Sequence, residues 1–246
     1  RLAAMTTTSA TRAELERRLI EELGDAELAA VAARRPDDEL IDQLRARVGD
    51  AIGSTPVLSY HPPTVADDDV DTLWVLAFGY RLSPTAATHG PGEIPPMSDL
   101  VPGPINEALA REAADFVAHT PVPIVAQWEV AEVLDSMGVT NVISVEPDVA
   151  ADGTVVYLST ADVLRKGLAL AAAQGIDAGQ AGVLGHRDHV SRCLLTAADV
   201  GMTGAVPASV RLPKVYDAES GQPWTRSRAD FVPLDVFARM FLDPTG

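Results

Sequence analysis

Two histidines and two arginines fall close together in His186-Arg187-Asp188-His189-Val190-Ser191-Arg192. The apolar run Ala181-Gly182-Val183-Leu184 before them reads as a short buried strand. Cys193-Leu194-Leu195-Thr196-Ala197-Ala198 after them reads as a helix. In open α/β sheets such a strand-to-helix handover is where ligands bind, outside the carboxyl ends of the strands. The helix N-terminus adds free N–H groups and a partial positive charge. The chemistry favoured there is capture of a phosphate, carboxylate or sulfate. Arg192 would grip the anion through its planar fork. His189, three residues earlier on the same helical face, would donate a hydrogen bond or act as acid and base. His186 and Arg187, in the loop itself, join the candidate ligand-binding set.

The spacing His186-x-x-His189, with Asp188 between, also invites a metal. It is not the i, i+4 pair of a zinc-protease helix and lacks the glutamate, so no metal is assigned. The net charge of −16 argues against nucleic acid as a partner, since a polyanion would be repelled. The basic cluster is then a local exception. A single cysteine, Cys193, excludes an internal disulfide and fits a reducing compartment. It reads as a small buried helix residue rather than a reactive thiol. No apolar run approaches the roughly 18–20 residues that span a bilayer, and Met5-Thr6-Thr7-Thr8-Ser9 is not a secretory leader. The expectation is a cytoplasmic chain without membrane contact.

The elements that must position the cluster follow from periodicity. Residues 5–52 read as an N-terminal helical subdomain, with Leu15, Leu19, Ile20 and Leu23 at helical spacing. Residues 53–70 read as a Pro/Gly-rich connector, and 70–246 as an α/β domain. Thr72–Phe78, Pro121–Ala126, Asn141–Glu146 and 181–184 read as strands, with a last one in Val206–Leu212. Helices are expected over 104–119, 129–137, 160–174, 188–200 and 233–242. Residues 80–103 form a long loop of the kind that is usually functional. Strands alternating with such helices imply right-handed βαβ units and a mainly parallel sheet with helices on both faces.

The order of several short motifs resembles the YdcF-like group, which includes ElyC and SanA. They are Gly79 after the first strand; Arg111 in Glu107-Ala108-Leu109-Ala110-Arg111; Glu129 or Glu132 before Gly138-Val139; Glu146; Ser159-Thr160; His189-Val190-Ser191-Arg192; and Gln222-Pro223-Trp224-Thr225-Arg226. The resemblance covers about residues 72–230 and implies a Rossmann-like fold. Where members carry Ser-Gly-Gly after the second strand, this chain has Gln127-Trp128, which implies a reshaped pocket. One member is associated with S-adenosylmethionine and others with cell-envelope processes, but the group has no settled reaction.

The candidate set is completed from these positions. Gly79 permits close backbone approach, with Tyr80 and Arg81 directly after it. Asn106 opens the helix that carries Arg111. Trp128 either stacks on a planar ligand or packs in the core. Glu129 and Glu146 balance the basic groups or hold a ribose or amine, though acids at helix starts also serve the dipole. Thr160 sits at a helix start. The leading reading is an enzyme for a small anionic metabolite, with His189 and Glu129 as the catalytic pair and no certain cofactor. The alternative is a non-catalytic module for a nucleotide-like ligand, with S-adenosylmethionine as the one cofactor the resemblance suggests. A third is an interaction protein docking through residues 11–50.

Overall fold

The computed structural model describes residues 61–86, 95–149 and 155–239, apart from the side chains of 233 and 237. The helices expected over 5–52 lie outside the described residues. Six strands form one parallel sheet: β1 (Thr64–Val65), β2 (Thr72–Val75), β5 (Ile124–Gln127), β6 (Val142–Val145), β9 (Gln180–Leu184) and β10 (Thr203–Pro207), in the order β1-β10-β9-β2-β5-β6. Two antiparallel ribbons lie outside it, β3 (Arg81–Leu82) with β4 (Leu100–Val101) and β7 (Asp148–Val149) with β8 (Val155–Val156). The helices are α1 (Pro104–His119), α2 (Trp128–Ser136), α3 (Thr160–Ala173), α4 (Val190–Asp199) and α5 (Arg228–Arg239). The fold is Rossmann-like.

The sheet separates two cores because side chains alternate along each strand. Leu73, Val75, Ile124 and Ala126 face α1 and α2, where Leu109, Phe116, Val130 and Leu134 pack. Trp74, Val125, Ile143 and Val183 face α3 and α4, meeting Leu164, Leu194 and Ala197. All four residues of β2 are buried, as a strand covered on both faces requires. Helix α3 comes close to β2 only because residue 167 is glycine: a Cβ there would stand 2.6 Å from the Trp74 ring.

The chain runs from β2 outward through β5 to β6, then returns to place β9 on the other side of β2. The sheet order therefore reverses between β2 and β9, and their carboxyl ends part around a crevice. This is the switch point where doubly wound sheets bind ligands.

Several boundaries differ from the sequence expectation, among them β2, which ends at Val75 rather than Phe78, and β5, which lies over Ile124–Gln127 rather than Pro121–Ala126. The connector contains β1, because Pro63, which has no N–H to give, can still accept from Val206 N at 2.9 Å on a sheet edge. The long loop contains the β3–β4 ribbon. The last strand lies over 203–207 rather than 206–212. Helix α5 begins five residues before Pro233, because Ser227 caps it, accepting from Asp230 N at 3.2 Å. Among the described residues no helix is long and apolar enough to cross a membrane.

Candidate functional site

A cleft of about 170 Å³ opens at this switch point. Its floor is Leu76–Gly79, just past β2, and Gln127, the last residue of β5. Tyr157–Thr160, His189, Arg192, Gln222, Thr225 and Phe231 line it as well, with Trp224 half-exposed at its edge.

The floor is shaped by two amides. Leu76 N makes the last link to β9, donating to Leu184 O at 2.9 Å. Beyond it, Ala77 N donates to Gln127 Oε1 at 3.2 Å and Phe78 N to Asn106 Oδ1 at 2.9 Å. Asn106 Nδ2 donates in turn to Gly79 O at 2.7 Å. Asn106 and Gln127 thus take the place of a neighbouring strand where the sheet opens. Gly79 has φ +73°, and a Cβ on it would lie 2.6 Å from Thr225 Oγ1 and 2.7 Å from Ser220 Oγ. Only glycine meets both conditions at low cost.

The charged wall comes from three elements. Arg192 Nε donates to Asp235 Oδ1 at 2.7 Å, and its Nη1 to Thr160 Oγ1 at 3.3 Å. Arg239 Nε stands 2.9 Å from Asp235 Oδ2, off the hydrogen-bonding angle, so it is an ion pair only. Two guanidiniums on one carboxylate leave a net charge of +1 beside the cleft. Burial pushes the Asp235 carboxyl up, but its neighbours His189 and Arg192 outweigh that and hold it below the usual range. Burial lowers the His189 pKa to about 4, with Arg192 adding to the effect. Its Nδ1 lies 3.8 Å from Asp235 Oδ1, beyond hydrogen-bond reach, so the direct bond to that oxygen is the one from Arg192. With Nδ1 turned to Asp235, Nε2 is the nitrogen left for the cleft.

A second polar group lies behind Tyr157. Glu129, in the first turn of α2, is wholly buried, and the Tyr157 hydroxyl donates to its Oε1. Its Oε2 has no partner among the described residues. Burial pushes the Glu129 carboxyl up to about 8; the Tyr157 bond opposes this, while Glu146 and Glu132 add to it. Gln127 Nε2 also donates to the Tyr157 oxygen, at 3.3 Å. The amide cannot be turned over, because its Oε1 already serves Ala77.

The structure brings Gly79, Gln127, Thr160, His189 and Arg192 into the cleft. Asn106 and Glu129 support it from behind, and the Tyr80 ring lies 5.7 Å from that of Tyr157. The remaining expected residues do not line it. Arg111 is exposed on α1, 3.7 Å from Glu107 one turn earlier. Arg81 is held by Asp217 through two bonds of 2.8 Å and lines a separate hollow with Glu219 and Arg226. Arg187 turns outward to Asp188, which also accepts from Tyr216 and Arg228. His186 is buried and stacked on Phe78 at 4.2 Å, and burial lowers its pKa. Glu146 is exposed and accepts from Ser144 Oγ. Trp128 packs in a small apolar cluster with Tyr80 and Leu100.

Tyr157, Asp235 and Phe231 were not anticipated. Asp235 and Arg239 do carry a sequence signal, an i, i+4 pair of opposite charge on an amphipathic helix. Tyr157 carries none. Cys193 is buried and its thiol pushed up to about 12 by burial. Among the described residues, no group of three His, Cys, Asp or Glu side chains could hold a metal. Compared with protein-family models, curated proteins and solved structures, the chain finds no match in any of the three.

Proposed function

We propose that the chain is a small-molecule enzyme of the YdcF-like kind, acting in this cleft on a metabolite that carries a phosphate or carboxylate. The observation that carries the reading is the net positive Arg192–Asp235–Arg239 cluster, joined to Thr160, at the crevice where the sheet order reverses. Thr160 Oγ1 and the Arg192 guanidinium edge hold the anion. His189 and Glu129 handle protons. At neutral pH the imidazole is neutral and can accept through Nε2, while the Glu129 carboxyl holds a proton behind the Tyr157 hydroxyl. Two titratable groups whose environments push their pKa values apart suit an acid and a base in one site.

The second reading is a binding module for a nucleotide-like ligand such as S-adenosylmethionine. One observation favours it: an imidazole with a pKa of about 4 is a weak base at pH 7. A thermal-shift panel of phosphorylated and carboxylated metabolites with S-adenosylmethionine, followed by NMR of each compound that binds, separates the two. The enzyme reading expects an anion to bind and to be converted, with conversion lost in His189→Gln and Glu129→Gln. Binding without conversion throughout the panel favours the module. Binding that survives unchanged in Arg192→Ala removes the site.

A further inference from the structure

The cleft is as aromatic as it is basic. A chain with 5% aromatic residues places Phe78, Tyr157, Trp224 and Phe231 on this one lining. Three of these have their rings engaged. Phe78 is stacked on His186, Phe231 packs edge-on to Phe78 and lies under the Arg192 guanidinium, and Tyr157 leans on Tyr80. Trp224 differs. It is 47% exposed at the rim, and no ring packs on it among the described residues.

Its exposure is not that of a loose loop. Trp224 sits in a 3-10 turn, Pro223–Thr225, tied down at several points. The Thr225 hydroxyl bonds Ser220 Oγ at 2.7 Å and donates to Gln222 O at 2.9 Å, and Arg226 Nε donates to Ser220 O at 2.7 Å. The same Thr225 seats against Gly79 on the cleft floor. A large apolar ring is therefore held half in water on a fixed turn, at the edge of a cleft that the Arg192 guanidinium also lines. Unfilled, that arrangement leaves apolar surface exposed; a flat ligand ring would cover it. The volume of about 170 Å³ is below the usual range for drug-sized ligands, about 300–1,000 Å³. Room is limited to a compact group.

We infer that the ligand is a compact aromatic or heteroaromatic monoanion, its ring laid on Trp224 and its acid group on Arg192 and Thr160. This names the substrate class of the proposed site and rests on that reading. Trp224 is the specificity residue, selecting a planar ring over an aliphatic group of the same charge.

The test uses benzoate, cyclohexanecarboxylate and acetate, with affinities measured by calorimetry at pH 7. Trp74 and Trp128 are buried, so quenching of tryptophan fluorescence by 4-nitrobenzoate reports on Trp224. Benzoate should bind more tightly than cyclohexanecarboxylate, and Trp224→Ala should weaken benzoate about 3- to 10-fold, the size of an aromatic contact. Trp224→Phe should restore most of that loss, and acetate should be indifferent to either change. If cyclohexanecarboxylate equals benzoate while Arg192→Ala still abolishes both, the anion site stands and the ring inference falls. If none of the three acids binds the parent protein, the ring inference falls; if binding ignores Arg192, the anion site falls with it.

Discussion

Glu129→Gln should reshape the dependence of stability on pH. Glu129 is wholly buried and its carboxyl is pushed from the ordinary 4.5 up to about 8. Between those values the folded chain holds a proton that the unfolded chain has released. Stability therefore falls as pH rises through this window, by about 1.4 kcal/mol per pH unit. At pH 7 the accumulated cost is about 3 kcal/mol, a large part of the 5–15 kcal/mol typical of a domain. Glutamine keeps the oxygen that accepts from Tyr157 and cannot ionise. Its amide finds no better partner than Oε2 did, which shifts the stability of the variant by a constant but leaves its slope flat. Urea midpoints followed by tryptophan fluorescence at pH 5, 6.5 and 8 measure the difference. The advantage of the variant should grow steadily with pH. Parallel curves for the two proteins would refute the protonated carboxyl, and with it the acid half of the proposed site.

His189 acts in the opposite sense. With its pKa lowered to about 4 against an ordinary 6.5, the unfolded chain binds the extra proton, so stability is lost on acidification between those values, by about 3 kcal/mol. His189→Gln should abolish that acid limb in the same urea series; a limb that persists points to another group. Asp235→Ala leaves two mostly covered guanidiniums without their carboxylate and should cost about 3 kcal/mol by chemical denaturation; a loss under 1 kcal/mol would mean the cluster is loosely held. Gly79→Ala combines a left-handed backbone with a clash at Thr225 and should cost at least about 2 kcal/mol, with anion binding weakened as the 223–225 turn is displaced. Unchanged stability and binding would show that the floor can relax.

The central strands were legible because they are short, apolar and buried on both faces, and because helices of regular length separate them. The run Thr72–Phe78, read as one strand, holds β2 in its first four residues, and 181–184 lies within β9; that the two strands pair side by side is written in neither run. What the sequence concealed is pairing across distance. Arg187, Arg111 and Arg81 are indistinguishable from Arg192 as letters, yet Asp188 and Asp217 pair with the first and last away from the cleft and Arg111 stands on the exposed face of α1. Nor do the letters show that Arg192 secures the buried Asp235, 43 residues further along the chain on α5. Tyr157 follows a ribbon too short to register in any periodicity. Its role emerges only where the fold brings it against Glu129.

A crystal structure of the protein soaked in selenate tests the central claim most directly, because the anomalous signal of selenium locates the oxyanion without ambiguity. The account predicts a peak within hydrogen-bonding distance of the Arg192 guanidinium and Thr160 Oγ1, inside the cleft between β2 and β9. Peaks confined to outward-facing arginines such as Arg111 or Arg187, with that position filled by water alone, would contradict it.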